Sequence, residues 1–394
     1  MHKQPAYPPI AITGLSCLSA LGQDPETWLA AAAEAEPAFE RVSFPPDTQT
    51  WLAATMPDYD VAPLLETRKA YLDRHTALLL GACSIAFRNA DLAREILPAS
   101  GTRAGLAVGS AWGGLGTLAT YFADLLRKGP KFAKPILFPH TYANTAAAMS
   151  AIEWTIKGPH EVYASGNLAS AQAIIAAIDC INLDQADVMF AGGCEALSAP
   201  VCRALAAQGR LLPDLTPEAA PAPFDPAGRS IVPGEGAAVL LLEHVATSMA
   251  RGAPTPCGWL LGSGLSGSGL AAAIAAALDD ACVEPPEIDA VFVAAAGLAG
   301  EDEAELTALR EVFGSSPPPL VALAGLQGDC LGAATALHCA GALYCLRVGW
   351  LPTREGQMPL PEGSPRQALI TAQEGNQAAA LIVALEQNIT CEYV

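Results

Sequence analysis

This 394-residue chain has little charge and few aromatic rings, with charged residues at 15% and aromatics at 6%. The charge it has is one-sided: 21 Lys and Arg stand against 40 Asp and Glu, a formal net charge of −19. Nucleic acid and anionic membrane surfaces are thereby excluded as direct partners, because both are bound through a basic face. The 11 cysteines include no CxxC pair and the six histidines no HxxxH or HxH pair. No metal site and no cofactor are expected. Cys180, Cys282, Cys339 and Cys345 lie in apolar runs and read as small core residues. No charged-then-apolar leader opens the sequence, which together with the cysteine pattern points to a reducing cytoplasm without disulfides. The longest apolar segment, residues 333–346, is too short to span a bilayer and contains His338.

Hydrophobic residues make up 52% of the chain, mostly small ones. A chain of this length and polarity fits one large fold of two similar halves, divided near residue 250 into segments 1–250 and 251–394. Residues 10–15 read as a short buried strand. Asp24 is placed to cap a helix with Pro25 in its first turn. Apolar residues recur at helical spacing from Leu65 to Leu92, with Arg68, Lys69, Asp73 and Arg74 on the outward face. The strand 104–109 runs into Ser110-Ala111-Trp112-Gly113-Gly114-Leu115-Gly116, which lacks the GxGxxG order and reads as a tight turn before a helix at 117–126. Arg127, Lys128, Lys131 and Lys134 then form the one dense basic cluster of an acidic chain.

The most informative stretch is 158–195. A strand at 161–164, the small turn Ser165-Gly166-Asn167, an apolar helix over 169–181 and a glycine-stopped strand at 187–193 follow one another. Asn167 falls at the helix N-terminus, where amides and dipole favour a nucleophile. An amide side chain has no useful nucleophilicity, and Asn is a good N-cap, so the residue is expected to hold the turn. The second half repeats the pattern: strands at 288–295, 320–323 and 378–385, an amphipathic helix at 302–313, and a small-residue turn entering a buried helix at 328–342. Two such halves predict a five-layered α/β/α/β/α fold.

These landmarks together resemble the β-ketoacyl synthase branch of the thiolase superfamily. Ala11-Ile12-Thr13-Gly14-Leu15 is similar to the opening VTGxG strand, and Leu72-Asp73-Arg74-His75 to the DRF-type helix. Residues 109–114 resemble GTGxGG, Gly158-Pro159 the GPN turn, and residues 186–196 the segment ADVMxAGGxEA. Pro223-Phe224-Asp225 followed by Gly234-Glu235-Gly236 resembles PFD…GEGAG, and Gly332-Ala333-Ala334 the GAAG that follows the last catalytic histidine. The resemblance covers nearly the whole chain and implies a thiolase-like fold.

The same resemblance implies that the catalytic groups are gone. Counting from the GPN turn and from ADVM, the nucleophilic cysteine falls on Asn167 both ways. The first histidine falls on Ala294, or on Ala296 if a gap is allowed. The lysine falls on Ala324 and the second histidine on Asp329. The C-terminal GFGGTN loop is replaced by Gln373-Glu374-Gly375-Asn376-Gln377.

A ketosynthase-fold chain without these groups resembles a chain length factor of type II polyketide systems. Such a subunit pairs with an active ketosynthase to form a 3-oxoacyl-ACP synthase complex and shapes the acyl tunnel at the heterodimer interface. Asn at the cysteine position suggests an aryl polyene or similar system. Candidates for lining or closing the tunnel are Trp112, Leu115, Leu118, Thr120 and Phe122, each of which can equally be core. An acidic acyl carrier protein, if it docks on this subunit, is expected at Arg127, Lys128, Lys131 and Lys134, with Arg68 and Lys69 as further candidates. Three other readings remain: a malonyl-ACP decarboxylase-type loading enzyme, relocated chemistry at Cys330 beside Asp329, and a homodimeric scaffold.

Overall fold

The structure is a computed structural model that describes residues 7–45, 47–92, 97, 101–354 and 356–386. Cys391 and the two chain ends lie outside the described residues. Ten strands form the spine of one large mixed sheet. The first five are β1 (Ile10–Leu15), β2 (Ala104–Gly109), β3 (His160–Tyr163), β4 (Val188–Glu195) and β5 (Gly236–Glu243). The second five are β6 (Gly258–Ser266), β7 (Ala290–Phe292), β8 (Leu320–Val321), β9 (Gln367–Glu374) and β10 (Gln377–Ala384). Their spatial order is β8-β7-β9-β10-β6-β1-β5-β4-β2-β3, with Leu18–Ser19 paired onto β5. Each half therefore has the order 3-2-4-5-1. In each, the strands in positions 3, 2 and 4 pair in parallel, and positions 5 and 1 pair antiparallel. The halves meet where β1 pairs antiparallel with β6, Ile10 opposite Leu260.

Alternation along the strands divides the cores. In β5, Ala238, Leu240 and Leu242 enter a central cluster, while Ala237, Val239 and Leu241 enter an outer one. In β9 and β10, Ile370, Leu381 and Val383 face the centre, and Leu369, Ala380 and Ile382 face the opposite outer cluster. The central layer is built by α5 (Ala169–Asn182) and α9 (Ala334–Val348), which pack on each other and on strands of both halves. Outside the first half lie α2 (Arg74–Asn89) and α4 (Thr145–Trp154); outside the second lie α7 (Leu270–Ala281) and α8 (Ala299–Phe313). These are the five layers α/β/α/β/α. Helix α1 (Pro25–Glu34) starts on Asp24, whose Oδ1 accepts from the Thr27 amide at 2.9 Å.

Several expectations need correction. Helix α2 begins at Arg74, not Leu65, and of the residues before it Arg68 is exposed while Lys69 and Asp73 turn inward. Asp73 is its buried N-cap, Lys69 pairs with the buried Glu153, and Arg74 reaches Glu235 at 2.7 Å. A helical outward face at 68–74 does not exist, because no helical turn spaces those residues. Cys180, Cys339 and Cys345 are core, but Cys282 is half-exposed at the C-terminus of α7, in a left-handed conformation. The apolar segment in the second half extends over Leu331–Val348, 18 residues, so by length and composition it could cross a bilayer. Its place in the central layer, 83% buried, accounts for its hydrophobicity instead.

Candidate functional site

The two buried helices start alike. A 3-10 turn, Gly166–Leu168, leads into α5, and another, Leu331–Ala333, leads into α9. Both turns contain a residue in the left-handed region, Gly166 at φ 61° and Leu331 at φ 48°. Asn167 does not cap α5 as expected: the 3-10 turn runs directly into the helix and its cap position is Leu168. What holds the Asn167 turn is a side chain 207 residues away, since its backbone N–H donates to Glu374 Oε2 at 2.9 Å.

Asn167, Ala294, Ala324 and Asp329 all line one cavity of about 10 Å³, space for about one water molecule. Four positions counted separately along the sequence are thus brought together. Ala296 is not among the lining residues; it packs beside the apolar cluster of Trp51 and Leu197, which favours Ala294 over the gapped alternative. The Ala294 amide donates to Glu305 Oε1 at 3.0 Å and to Thr371 Oγ1 at 3.2 Å. Burial pushes the Glu305 carboxyl up to about 7, and its Oε2 is enclosed without a partner. Burial likewise pushes Asp329 up to about 6, against the pull of the Leu331 amide, which donates to its Oδ1 at 2.8 Å. At neutral pH Asp329 is mostly an acceptor-only carboxylate.

Cys330 and His338 also line this cavity. Burial holds the Cys330 thiol well above its usual range, with Asp329 adding to the effect. Its Sγ sits 3.9 Å from the Gln327 carbonyl and 3.8 Å from that of Gly328. Burial pushes His338 down to about 4, so the ring is neutral. A protonated, enclosed thiol beside a neutral imidazole to which it is not hydrogen-bonded is an inert arrangement. Relocated chemistry at Cys330 gains nothing from this geometry.

The glycine-rich turn after β2 is also filled internally. The Ala111 and Trp112 amides donate to the buried Glu195 carboxylate at 2.6 and 3.2 Å, and Ser110 Oγ donates to it at 3.3 Å. No amide of that pair is left for a phosphate. Beyond it runs α3 (Leu115–Lys128). Trp112 and Leu115 are half-buried and pack on the cluster of Trp51, Val201 and Leu331; Leu118 is half-buried and Thr120 exposed. Phe122 is 48% exposed and stands edge-on to Tyr121, which meets Phe138, which meets Tyr142. None of these tunnel candidates lines the small cavity.

The basic cluster lies at the end of α3, partly engaged by the helix itself. Lys128 pairs with Asp124 one turn back at 2.7 Å, and Arg127 Nε donates to the Ala123 carbonyl at 3.2 Å. Lys131 and Lys134 are exposed beyond it. Lys69 is held by Glu153 and is not a free docking charge.

Residues 8–248 match the family model for the N-terminal domain of β-ketoacyl synthase, and residues 263–356 match that for its C-terminal domain. The chain is 31% identical over 268 residues to the chloroplastic 3-oxoacyl-[acyl-carrier-protein] synthase I of Arabidopsis thaliana, covering 63% of this chain and 56% of that one. It is 28% identical over 367 residues to 3-oxoacyl-[acyl-carrier-protein] synthase 2 of Coxiella burnetii, covering 87% of each. The matches span 56% and 60% of the length of the two plant relatives. Among solved structures, the ishigamide ketosynthase/chain length factor is similar with a TM-score of 0.86 at 24% identity, covering 97% of this chain and 100% of that one. A ketosynthase in complex with its chain length factor from Xenorhabdus doucetiae is similar with a TM-score of 0.80 at 21% identity, covering 98% and 100%. At these identities the structural likeness carries the fold, which is thiolase-like, while the two family models, covering most of the sequence, carry membership. The chain belongs to the β-ketoacyl synthase family.

Proposed function

We propose that this chain is a non-condensing, chain length factor-like partner of an active ketosynthase in a type II polyketide or fatty-acid-like system, with an aryl polyene as one product class. The observation that carries this reading is the cavity where Asn167, Ala294, Ala324 and Asp329 converge. Claisen condensation needs a thiolate to hold the acyl chain and donors for the enolate that forms when malonyl thioester loses CO2. One positioned acid or base contributes about 10²–10⁴-fold, and groups acting as a unit are not replaced one at a time. Here an amide, two methyl groups and a carboxylate stand in their places. A loading decarboxylase would still need donors at the two histidine positions, which hold Ala294 and Asp329.

Association is supported at the sheet edge. Among the described residues strand β3 pairs only with β2, leaving its other edge open beside the Asn167 turn. The same half of the chain exposes apolar side chains that solvent does not favour: Leu126 at 82%, Ile152 at 68% and Phe132 at 61% exposed. Together with the Phe122–Tyr142 aromatic run, they give a face suited to a large apolar interface, and obligate ones bury about 2,000–5,000 Å². Trp112 and α3 would then shape the tunnel in which the partner's acyl chain grows. Carrier protein, bound mainly by the partner, would meet this subunit at Arg127, Lys131 and Lys134.

The test is co-expression with a type II ketosynthase followed by native mass spectrometry. A one-to-one complex is the expected result. A homodimer that persists beside unbound ketosynthase would favour the scaffold reading and overturn this one.

A further inference from the structure

We infer that Glu374 is a specificity-determining residue, a built-in acceptor that fills the amide of the Asn167 turn and keeps acyl thioester carbonyls off it. This rests on reading position 167 as the former nucleophile's place. When a nucleophile on a strand-to-helix turn attacks a carbonyl, its own backbone N–H is in reach of the developing oxyanion. In this chain that N–H is already taken, at 2.9 Å, by Glu374 Oε2.

The fit on the other side is equally close. A Cβ added at Gly166 would lie 2.4 Å from Glu374 Oε2 and 2.7 Å from its carboxyl carbon, so the carboxylate rests against a glycine. Glu374 reaches the turn from the end of β9, at the hairpin tip it shares with Gly375. It is exposed and lines, with Asn167, a mouth of about 210 Å³ next to the Arg210–Glu301 ion pair. Behind Asn167, the cavity holds Thr335 Oγ1 and His338 Nδ1, both buried without a partner. Asn167 is thus common to the solvent-open mouth that Glu374 lines and to the small inner cavity with its two unpartnered polar atoms.

Two effects follow from its chemistry. An ionised carboxylate only accepts hydrogen bonds, so while it holds the amide a carbonyl oxygen has no donor there. It is also negative, so an oxyanion formed beside it is opposed by a like charge. Loss of a cysteine removes acylation at this position, whereas Glu374 removes the carbonyl's binding place. The sequence carries the two losses 207 residues apart.

The test restores the thiol and varies the acceptor, with S-phenyl thioacetate as acyl donor and chloroacetamide as a reagent that needs no oxyanion donor. In acylation the introduced thiolate forms a bond to the acetyl carbon and the bond to the thiophenolate breaks. The proton released by the introduced thiol is taken up by water or by the leaving thiolate. Intact mass should show the Asn167→Cys/Glu374→Ala chain acetylated at least about tenfold faster than Asn167→Cys alone, since one oxyanion donor is worth about 10²–10³-fold. The Glu374→Gln version, which keeps an acceptor but no charge, should fall between them, and chloroacetamide rates should differ by less than about threefold. Equal acetylation with and without Glu374, or an equal rise with both reagents, would overturn the inference. A second measurement needs no new thiol: in Glu374→Ala, hydrogen exchange at the Asn167 amide should speed up about tenfold, and unchanged protection would also overturn it. Acetylation of a chain that retains Asn167 would instead sink the non-acylated reading of the subunit without touching the role of Glu374.

Discussion

Replacing Glu305 by Gln should make the protein less sensitive to rising pH. Glu305 lies on α8 and is wholly enclosed; Oε1 takes the Ala294 amide and the Thr371 hydroxyl, while Oε2 has no partner and is the place for a proton. Burial raises its carboxyl from 4.5 to about 7. Between those values the folded chain holds a proton that the unfolded chain has released. The stability this contributes is therefore complete below about 4.5 and is lost as pH rises through about 7. The distance between the two values corresponds to on the order of 3 kcal/mol. A glutamine keeps the Oε1 contacts and cannot ionise. Urea unfolding at about pH 5 and about pH 8.5 should show a loss of stability in the parent chain that is smaller in Glu305→Gln by up to that amount. Glu195 and Asp329, raised to about 8 and about 6 by burial, contribute slopes of the same sign in both proteins. An unchanged slope in the variant, or a variant less stable than the parent at the higher pH, would refute the reasoning.

Arg74 joins Glu235 through Nη2 at 2.7 Å and Nε at 3.3 Å, and its ring contact with Tyr59 places it over an aromatic face. Arg74→Ala leaves Glu235 buried with the Met56 amide as its remaining donor, so a loss of about 3–5 kcal/mol in chemical unfolding is expected, with only part recovered by Lys. In the complex with a ketosynthase, Trp112→Ala should lengthen the products if its side chain closes the tunnel; an unchanged product distribution by mass spectrometry would assign Trp112 to the core it packs on. Reversing Arg127, Lys131 and Lys134 to Glu should weaken carrier-dependent turnover by the complex most at low salt, and unchanged turnover there would remove this surface from carrier docking.

The layered fold was legible because its signals are local. The unbroken apolar runs at 237–242 and 378–385 and the apolar helices expected at 169–181 and 328–342 each occupy one short window, whereas the glycines expected to stop a strand at 193 lie inside β4, which runs on to Glu195. The convergence of Asn167, Ala294, Ala324 and Asp329 was legible only through the family resemblance, by counting from its motifs. What periodicity could not reach were the carboxylates that fill the turns. Glu195 on the Ala111 and Trp112 amides, Glu374 on Asn167, Glu305 on Ala294 and Glu235 on Arg74 all act across 11 to 207 residues. Such partners carry no spacing signature, and an acidic side chain in a sequence of net charge −19 reads as solvated surface until the fold encloses it. No motif marks His338 either, which lines the same cavity as Cys330.

The most direct test of the account is where the acyl group goes. The co-purified complex of this chain with a type II ketosynthase is incubated with malonyl- and acyl-loaded carrier protein, then both subunits are weighed intact. The account predicts acyl mass on the ketosynthase alone, with this chain at its unmodified mass. Acyl mass on this chain would contradict it.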